Sequence, residues 1–396
     1  MTLGRDKPKR ILHFIPGLDA IMGGPSRSVP YQCVAALADD VSVTLAYIEN
    51  GTSLAPEALD ATSNGVQLCA ISSFDLFLNL PQLVCEHDVV HMHGLWLPSC
   101  YWASREALRL KRALIITPHG MLEPWALAHK RWRKRAALWT YQHALLRKAT
   151  ILQATSDMEA LDLRKQGFQC PIAVIPHGVT VPHYDVSVAG QVSPKRILFL
   201  SRIHPKKGLI QLVRAVARHR AIIERANWTV TVAGPDSDGH LARVQAEATA
   251  LGVRHLIEFI GSVDGQQKWD LFRAATLFVL PTFSENFGLV IAEALGCGVP
   301  VVTTHGAPWS DLLVHNCGWW HAIGQDHLEA ALRSALETPP DVLGQMGERG
   351  LALVRNQYGS LRFGEALRNM YNWAITGGTQ PRCFYPVNAT QHAGAI

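Results

Sequence analysis

No uninterrupted apolar run of eighteen or more residues occurs in this 396-residue chain, which argues against a membrane-spanning helix. The basic N-terminus, MTLGRDKPKR, leads into an apolar run that breaks at Pro16 and Gly17. That run is too short for a signal peptide and better suits a first β-strand. The eight cysteines form no C-x-x-C pair, so no structural zinc site is indicated, and a reduced, cytosolic protein is expected. The turn after the first strand also lacks the G-x-G-x-x-G dinucleotide fingerprint. Charge is sparse at 17% against 48% hydrophobic residues, a balance that opposes disorder and supports large cores. The length points to two domains rather than one.

The charge that is present is unevenly spread. Eleven Lys/Arg against two Glu fall between Arg105 and Lys148, a local balance of +9 within a chain of +5, so the remainder sums to −4. This is one local basic surface, and a global affinity for nucleic acid is not expected.

β-Branched runs alternate with helical patterns nearly throughout. RILHFIPG, VSVTLAYI, VQLCAIS, DVVHMHG, ALIITPHG, TILQATS and IAVIPHGV read as strands, separated by helices such as Ser26–Ala38, Tyr101–Arg112, Trp125–Lys148 and Asp157–Gly167. The pattern breaks over residues 181–194 and restarts with RILFLSR, WTVTVAG, IEFIGSV, TLFVLPT and PVVTT. Such alternation implies α/β architecture, with two doubly wound parallel-sheet domains in series and ligands bound beyond the carboxyl ends of the strands. Residues 340–376 read as helical, and the aperiodic stretch 377–396 is expected to be mobile or loosely packed.

Candidate ligand groups lie where strands should end. Gly23 and Gly24 allow a tight turn before a helix that Ser26 could cap, and such turns suit phosphate. In FLSRIHPKKGLIQLV, Arg202 and Lys207 flank a turn into a helix at Gly208, as a diphosphate site requires, while Lys206 reads as solvated. In SENFGLVIAEAL, Glu285 precedes a helix opened by Phe287 and Gly288, and Glu293 lies inside it. Eight helical residues span roughly 12 Å, beyond the separation of about 5–10 Å that suits a single acid–base pair. The two acids therefore read as anchors for one long ligand.

Together, R-x4-K after one strand and E-x7-E after another resemble the retaining GT-B glycosyltransferases of family 4 (glycosyl transferases group 1). DVVHMHG, ATSDMEALDLRKQG, VIPHGV and VAGP stand in the order that resemblance requires, over nearly the whole chain. HGMLEPWAL and APWSDLLVHNCGWW resemble a subgroup of bacterial surface and exopolysaccharide enzymes. Two positions depart from the pattern: His177 stands where asparagine is commoner, and Asp311 where glutamate is usual.

The resemblance implies two Rossmann-like domains facing each other across a cleft. Residues 1–180 would form the acceptor domain and 195–358 the nucleotide-sugar donor domain. Residues 359–396 would supply a C-terminal helix packing back on the first domain, followed by an irregular tail. It implies a metal-independent, retaining transfer of a sugar from a UDP- or GDP-sugar to a glycan or lipid-linked oligosaccharide, with no cofactor. Arg202 and Lys207 would grip the diphosphate beneath the Gly23–Gly24 loop, and Glu293 would bind the ribose. Glu285 would face the transferred sugar, with backbone N–H groups of Asn286, Phe287, Gly288 and Leu289 nearby. His119 would contact the donor sugar; PHG recurs at His177, so only the resemblance singles out His119.

Three further readings complete the sequence picture. Asp236 and Asp238 form a D-x-D pattern, a metal motif in other glycosyltransferases, but here they fall in an ordinary loop of the second domain. His91 and His93 flank Met92 and are expected to point oppositely, His93 lining the cleft and His91 structural, without zinc. Lys130, Arg131, Arg133, Lys134 and Arg135 interleave with Trp132 ahead of Leu138, Trp139 and Tyr141, which suits adsorption at the inner face of a cytoplasmic membrane. The alternatives are a nucleotide-sugar epimerase or a non-catalytic sugar-nucleotide or glycan-binding protein.

Overall fold

A computed structural model describes residues 8–19, 24–51, 53–128, 131–181, 195–236 and 238–386. The chain forms two compact units, Met1–Gly178 with Ser360–Ile396, and Val179–Gly359. In the first, Lys9–Ile15 (β1), Val41–Ile48 (β2), Gln67–Ile71 (β3), Val89–His93 (β4), Ala113–Thr117 (β5), Ile151–Ala154 (β6) and Ile172–Val174 (β7) make one parallel sheet, ordered β3-β2-β1-β4-β5-β6-β7. Its side chains alternate between two apolar layers. Val90 and Met92 pack in one, while Val89, Ile11, Ile115 and Ile151 pack in the other with Phe363, Leu367 and Met370 of the helix Ser360–Thr376.

That C-terminal helix lies against Gly24–Ala36 at close range. Gly364 is so near that a Cβ there would stand 2.1 Å from the Ala35 carbonyl oxygen, to which Arg368 Nη1 donates at 3.0 Å.

In the second unit, Lys195–Leu200 (β8), Trp228–Ala233 (β9), Ile257–Gly261 (β10), Leu277–Leu280 (β11), Val301–Thr304 (β12) and Gly318–His321 (β13) pair in parallel, ordered β10-β9-β8-β11-β12-β13. The sequence reading lacked β13, whose half-buried GWWH carries no apolar run.

The helix expected over Trp125–Lys148 is present where described, as Pro124–Ala128 and then without a break from Arg131 to Lys148, widened only by a π-helical turn at Leu138–Gln142. Two further expectations need correction. The tail is not loose as far as residue 386. Ile172 and Val174, on the edge strand β7, bond to Tyr385 N and the Cys383 carbonyl at 2.7 Å each, because an exposed edge offers unpaired backbone groups. Ser26 does not cap a helix but lies buried within Gly24–Ala36. The inter-domain stretch falls outside the described residues from 182 to 194, and the tail does so from 387 onward.

Gly364→Ala is expected to destabilise the first unit by about 1–3 kcal/mol through overpacking. The check is a lower urea midpoint at unchanged slope.

Candidate active site

Strand order reverses between β1 and β4 and again between β8 and β11. Ligands of such sheets bind beyond the strand ends at these points. In the second unit this is where Arg202, Lys207 and Glu285 emerge. Arg202 is exposed just after β8. A 3₁₀ turn, Pro205–Lys207, ends at Gly208, which has φ +72° and caps the helix Leu209–Arg218. A Cβ on Gly208 would fall 2.0 Å from the Pro281 carbonyl oxygen, so glycine lets this turn rest directly on the end of β11. The Lys206 carbonyl accepts from Phe283 N at 2.8 Å and Thr282 Oγ1 at 3.2 Å, locking the two loops together. Lys206 is thus partly buried and its backbone is structural, rather than the solvated residue expected.

The consequence is an ion pair between Lys207 Nζ and Glu285 Oε1, the side chains 13% and 10% exposed. Glu285 is fixed independently by its N–H, which donates to the Gly306 carbonyl at 2.7 Å. The next residues turn into the helix Leu289–Gly296 through Gly288 at φ +83°. The Phe287 carbonyl is held by Trp309 Nε1 at 2.6 Å, and Trp309, Phe287 and Tyr358 pack ring against ring. Asn286 is half-buried, and Leu289 opens the helix.

Glu293 lies on the second turn of that helix. It is not on a solvated face: Lys268 Nζ, from the helix Gly265–Ala274, binds its Oε1 at 2.9 Å. Only the part of the eight-residue interval after Gly288 is helical, so the roughly 12 Å helical estimate for the two acids does not apply.

Of the glycine pair expected at the first unit's phosphate turn, Gly23 lies outside the described residues. Gly24 begins a helix with open space where a Cβ would be, so its conformation does not require glycine. The D-x-D acids have local tasks. Asp236 Oδ1 accepts from His240 N at 2.9 Å, and Asp238 stands 3.3 Å from His204 Nε2.

Beyond β5 in the first unit, His119 adopts φ +52°, a left-handed conformation uncommon outside glycine and found at functional turns. Gly120 follows it at φ +72° and donates its N–H to Glu159 Oε1 at 2.8 Å. Glu159 belongs to the S-D-M-E start of the helix Asp157–Lys165, where Ser156 caps Glu159 N at 3.2 Å. Its other oxygen takes Thr155 N and Oγ1 at 2.8 and 3.1 Å. The His177 ring lies parallel to that of His119, with centroids 6.0 Å apart.

His91 and His93 do not point oppositely. Residues two apart on a strand share a face, and the rings stack at 4.3 Å, joined by His13 from β1. His13, His91 and His93 place ring nitrogens within 4.8 Å of one another, close enough for a metal, yet all six nitrogens are already hydrogen-bonded.

The family model described as "Glycosyltransferase Family 4" matches residues 31–181, and that described as "Glycosyl transferases group 1" matches residues 187–351. The chain belongs to glycosyltransferase family 4. Among curated relatives, a D-inositol 3-phosphate glycosyltransferase of Corynebacterium jeikeium is 27% identical over 285 residues, 63% of this chain and 66% of that protein. The match thus spans just under two thirds of that relative. Among solved structures, sucrose-phosphate synthase from Thermosynechococcus elongatus superposes with a TM-score of 0.72 at 18% identity, covering 93% of this chain and all of that one. HepE of Anabaena, in complex with UDP and glucose, gives 0.71 at 16% identity, covering 92% and 99%. The fold of this family 4 chain is GT-B.

The buried imidazoles of this family 4 chain give it a definite pH response. Burial pushes His13 and His119 down to about 3 and His177 to about 4, and holds His91 and His93 well below the ordinary imidazole range. The folded rings stay neutral, while an unfolded chain takes up protons below about pH 6.5. Folding stability therefore falls as pH drops, by up to about 1.4 kcal/mol per pH unit for each ring. Burial pushes Glu159 up to about 7, and its contribution runs the other way, being lost as pH rises through that value. The five histidines outweigh it, so the urea midpoint of the first unit is expected to drop steeply from pH 6.5 to 5. A flat profile would mean the rings are not buried and neutral.

Proposed function

We propose that this protein is a retaining, metal-independent glycosyltransferase that moves a sugar from a nucleotide-diphosphate sugar to a glycan or lipid-linked oligosaccharide in bacterial polysaccharide assembly. The observation that carries the reading is the constellation at β8 and β11. There, three cations (Arg202, Lys207 and Lys268), two carboxylates and the opening turn of a helix gather at a switch point in a family 4 chain. Arg202 and Lys207 would hold the diphosphate and offset the charge that develops as it leaves. The helix start at Gly288 and Leu289 offers unpaired N–H groups to phosphate or sugar hydroxyls. Glu293, oriented by Lys268, would accept from the ribose hydroxyls. HepE, with UDP and glucose bound, favours a UDP-sugar over a GDP-sugar donor.

The Glu285 carboxylate is committed to Lys207, which supports a role in placing the sugar rather than in covalent attack. Retention would then follow from front-face displacement, a donor phosphate oxygen taking the acceptor's proton. For His119 the proposed role is a hydrogen bond to a sugar hydroxyl.

The surface of the first unit supports a lipid-linked acceptor. Trp132 is 80% exposed within the basic helix, and Phe74 and Leu78 are 93% and 76% exposed. Beside them Phe77 packs edge-on to Trp102, over which Arg105 lies 5.0 Å from the ring centroid. Tyr141, by contrast, is tied inward, its hydroxyl donating to the Trp96 carbonyl at 3.1 Å. No helix among the described residues is long and apolar enough to cross a membrane, so adsorption is the mode proposed.

Lys207→Ala is expected to lower kcat by about 10²–10³. A double-mutant cycle with Glu285→Gln separates lost diphosphate contact from the stranded carboxylate. Activity should survive EDTA; a strict Mn²⁺ or Mg²⁺ requirement would return attention to Asp236 and Asp238. In vesicle sedimentation, binding to anionic but not zwitterionic vesicles is expected, and Trp132→Ser with Phe74→Ser should abolish it.

A further inference from the structure

Five polar residues line up across the buried face of the first sheet where an apolar row would be ordinary. His13 pairs with His91 in register, His93 with Thr117, and Gln153 follows on β6. Tyr371, from the helix Ser360–Thr376, closes over them. All six are at most 1% exposed. They form one continuous hydrogen-bonded chain that ends on His119. Gln32 Nε2 meets Gln153 Oε1 at 3.1 Å, and Thr117 Oγ1 meets the same oxygen at 3.2 Å. His91 Nε2 lies 2.7 Å from Thr117 Oγ1, and its Nδ1 lies 2.9 Å from the Tyr371 hydroxyl. That hydroxyl is 3.0 Å from His13 Nε2; His13 Nδ1 is 2.9 Å from His93 Nε2; His93 Nδ1 is 3.0 Å from His119 Nε2.

The direction of this chain follows from counting protons. A carbonyl oxygen only accepts, so Thr117 gives its one proton to Gln153 and must accept from His91 Nε2–H. A neutral His91 then has a bare Nδ1, which takes the Tyr371 proton. The Tyr371 oxygen in turn accepts from His13 Nε2–H and from Gln32, which also bonds to it. His13 Nδ1 is therefore bare and accepts from His93 Nε2–H, and the bare His93 Nδ1 accepts from His119 Nε2–H. The reverse polarity would require Gln32 to turn its oxygen toward Tyr371. The single phenolic proton would then have to serve both Gln32 and His13, and one buried bond would be lost.

The geometry points to a positioning function for this buried chain: it fixes His119 as the tautomer that donates Nε2–H inward to His93 and keeps a bare, accepting Nδ1. Resting on the reading of His119 given above, the consequence is that His119 receives a hydrogen bond from a sugar hydroxyl and presents no donor of its own there. Thr117, Gln153, Tyr371, His91, His13 and His93 are positioning residues acting through His119. The low proton affinity of the buried rings keeps each at one proton, which the relay requires.

The test is the ring-nitrogen spectrum of ¹⁵N-histidine-labelled full-length protein at neutral pH, His119 being identified by signals lost in His119→Asn. A protonated Nε2 with a bare Nδ1 is expected; an Nδ1–H ring, an imidazolium or a mixture of tautomers overturns the proposal. Thr117→Ser keeps the hydroxyl and should keep the single tautomer with full activity. Thr117→Val should yield a tautomer mixture and lower kcat on the order of 10-fold or more. The donor KM should change by less than about twofold. A single unchanged tautomer in Thr117→Val would show that the chain does not set it. Stoichiometric zinc whose removal by EDTA shifts the His13, His91 and His93 signals would also overturn the relay. If wild-type protein transfers no sugar, the functional reading falls while the spectrum still decides the tautomer.

Discussion

Where a parallel sheet reverses its winding, neighbouring connections leave on opposite faces and the loops beyond the strand ends part. This happens at β1/β4 in one unit and at β8/β11 in the other, where Lys207 and Glu285 pair just beyond the strand ends. The glycine turn at Gly208 follows β8 at one of these points and rests directly on the end of β11, while the left-handed turn at His119–Gly120 follows β5, next to β4. On a sheet wound one way only, the same residues would lie beneath a crossover helix.

The two switch points handle polar groups by different physics. In the second unit Lys207–Glu285 and Lys268–Glu293 are opposite charges, largely covered, each compensating the other. Removing one partner strands the other, and a covered charge without a partner is strongly destabilising. In the first unit the polar groups are uncharged, and hydrogen bonds satisfy every nitrogen of the His13, His91 and His93 rings, while Gln153 Nε2 and Gln32 Oε1 are left without a partner. Neutral networks tolerate burial well when every member is paired, and they impose orientation more than affinity. The first arrangement suits a charged ligand, and the second suits placement of a single ring.

Strand succession and the R-x4-K and E-x7-E spacings were legible because each lies within one strand–turn–helix unit, where local pattern and local geometry coincide. Lys268 was not, since it reaches Glu293 from a different helix, 25 residues away in sequence. The same holds for Tyr371, which meets His13 and His91 across most of the chain length. His91 and His93 held a readable signal that was misassigned: period-two alternation already puts residues i and i+2 together. Glu159 was signalled by its capping box, but its grip on Gly120 is tertiary. β13 escaped because an edge strand of glycine, tryptophan and histidine lacks β-branched character.

The positive φ of His119 has a consequence for sequence drift. Only glycine, and among the others chiefly asparagine, aspartate and histidine, occupy that backbone region readily. Evolution at this site is therefore confined to a short alphabet, and within it only histidine carries an imidazole. Replacement by a β-branched residue would disturb the turn before it touched the chemistry, so such a variant would report on backbone strain. Asparagine alone among the amides removes the ring while leaving the chain trace at rest.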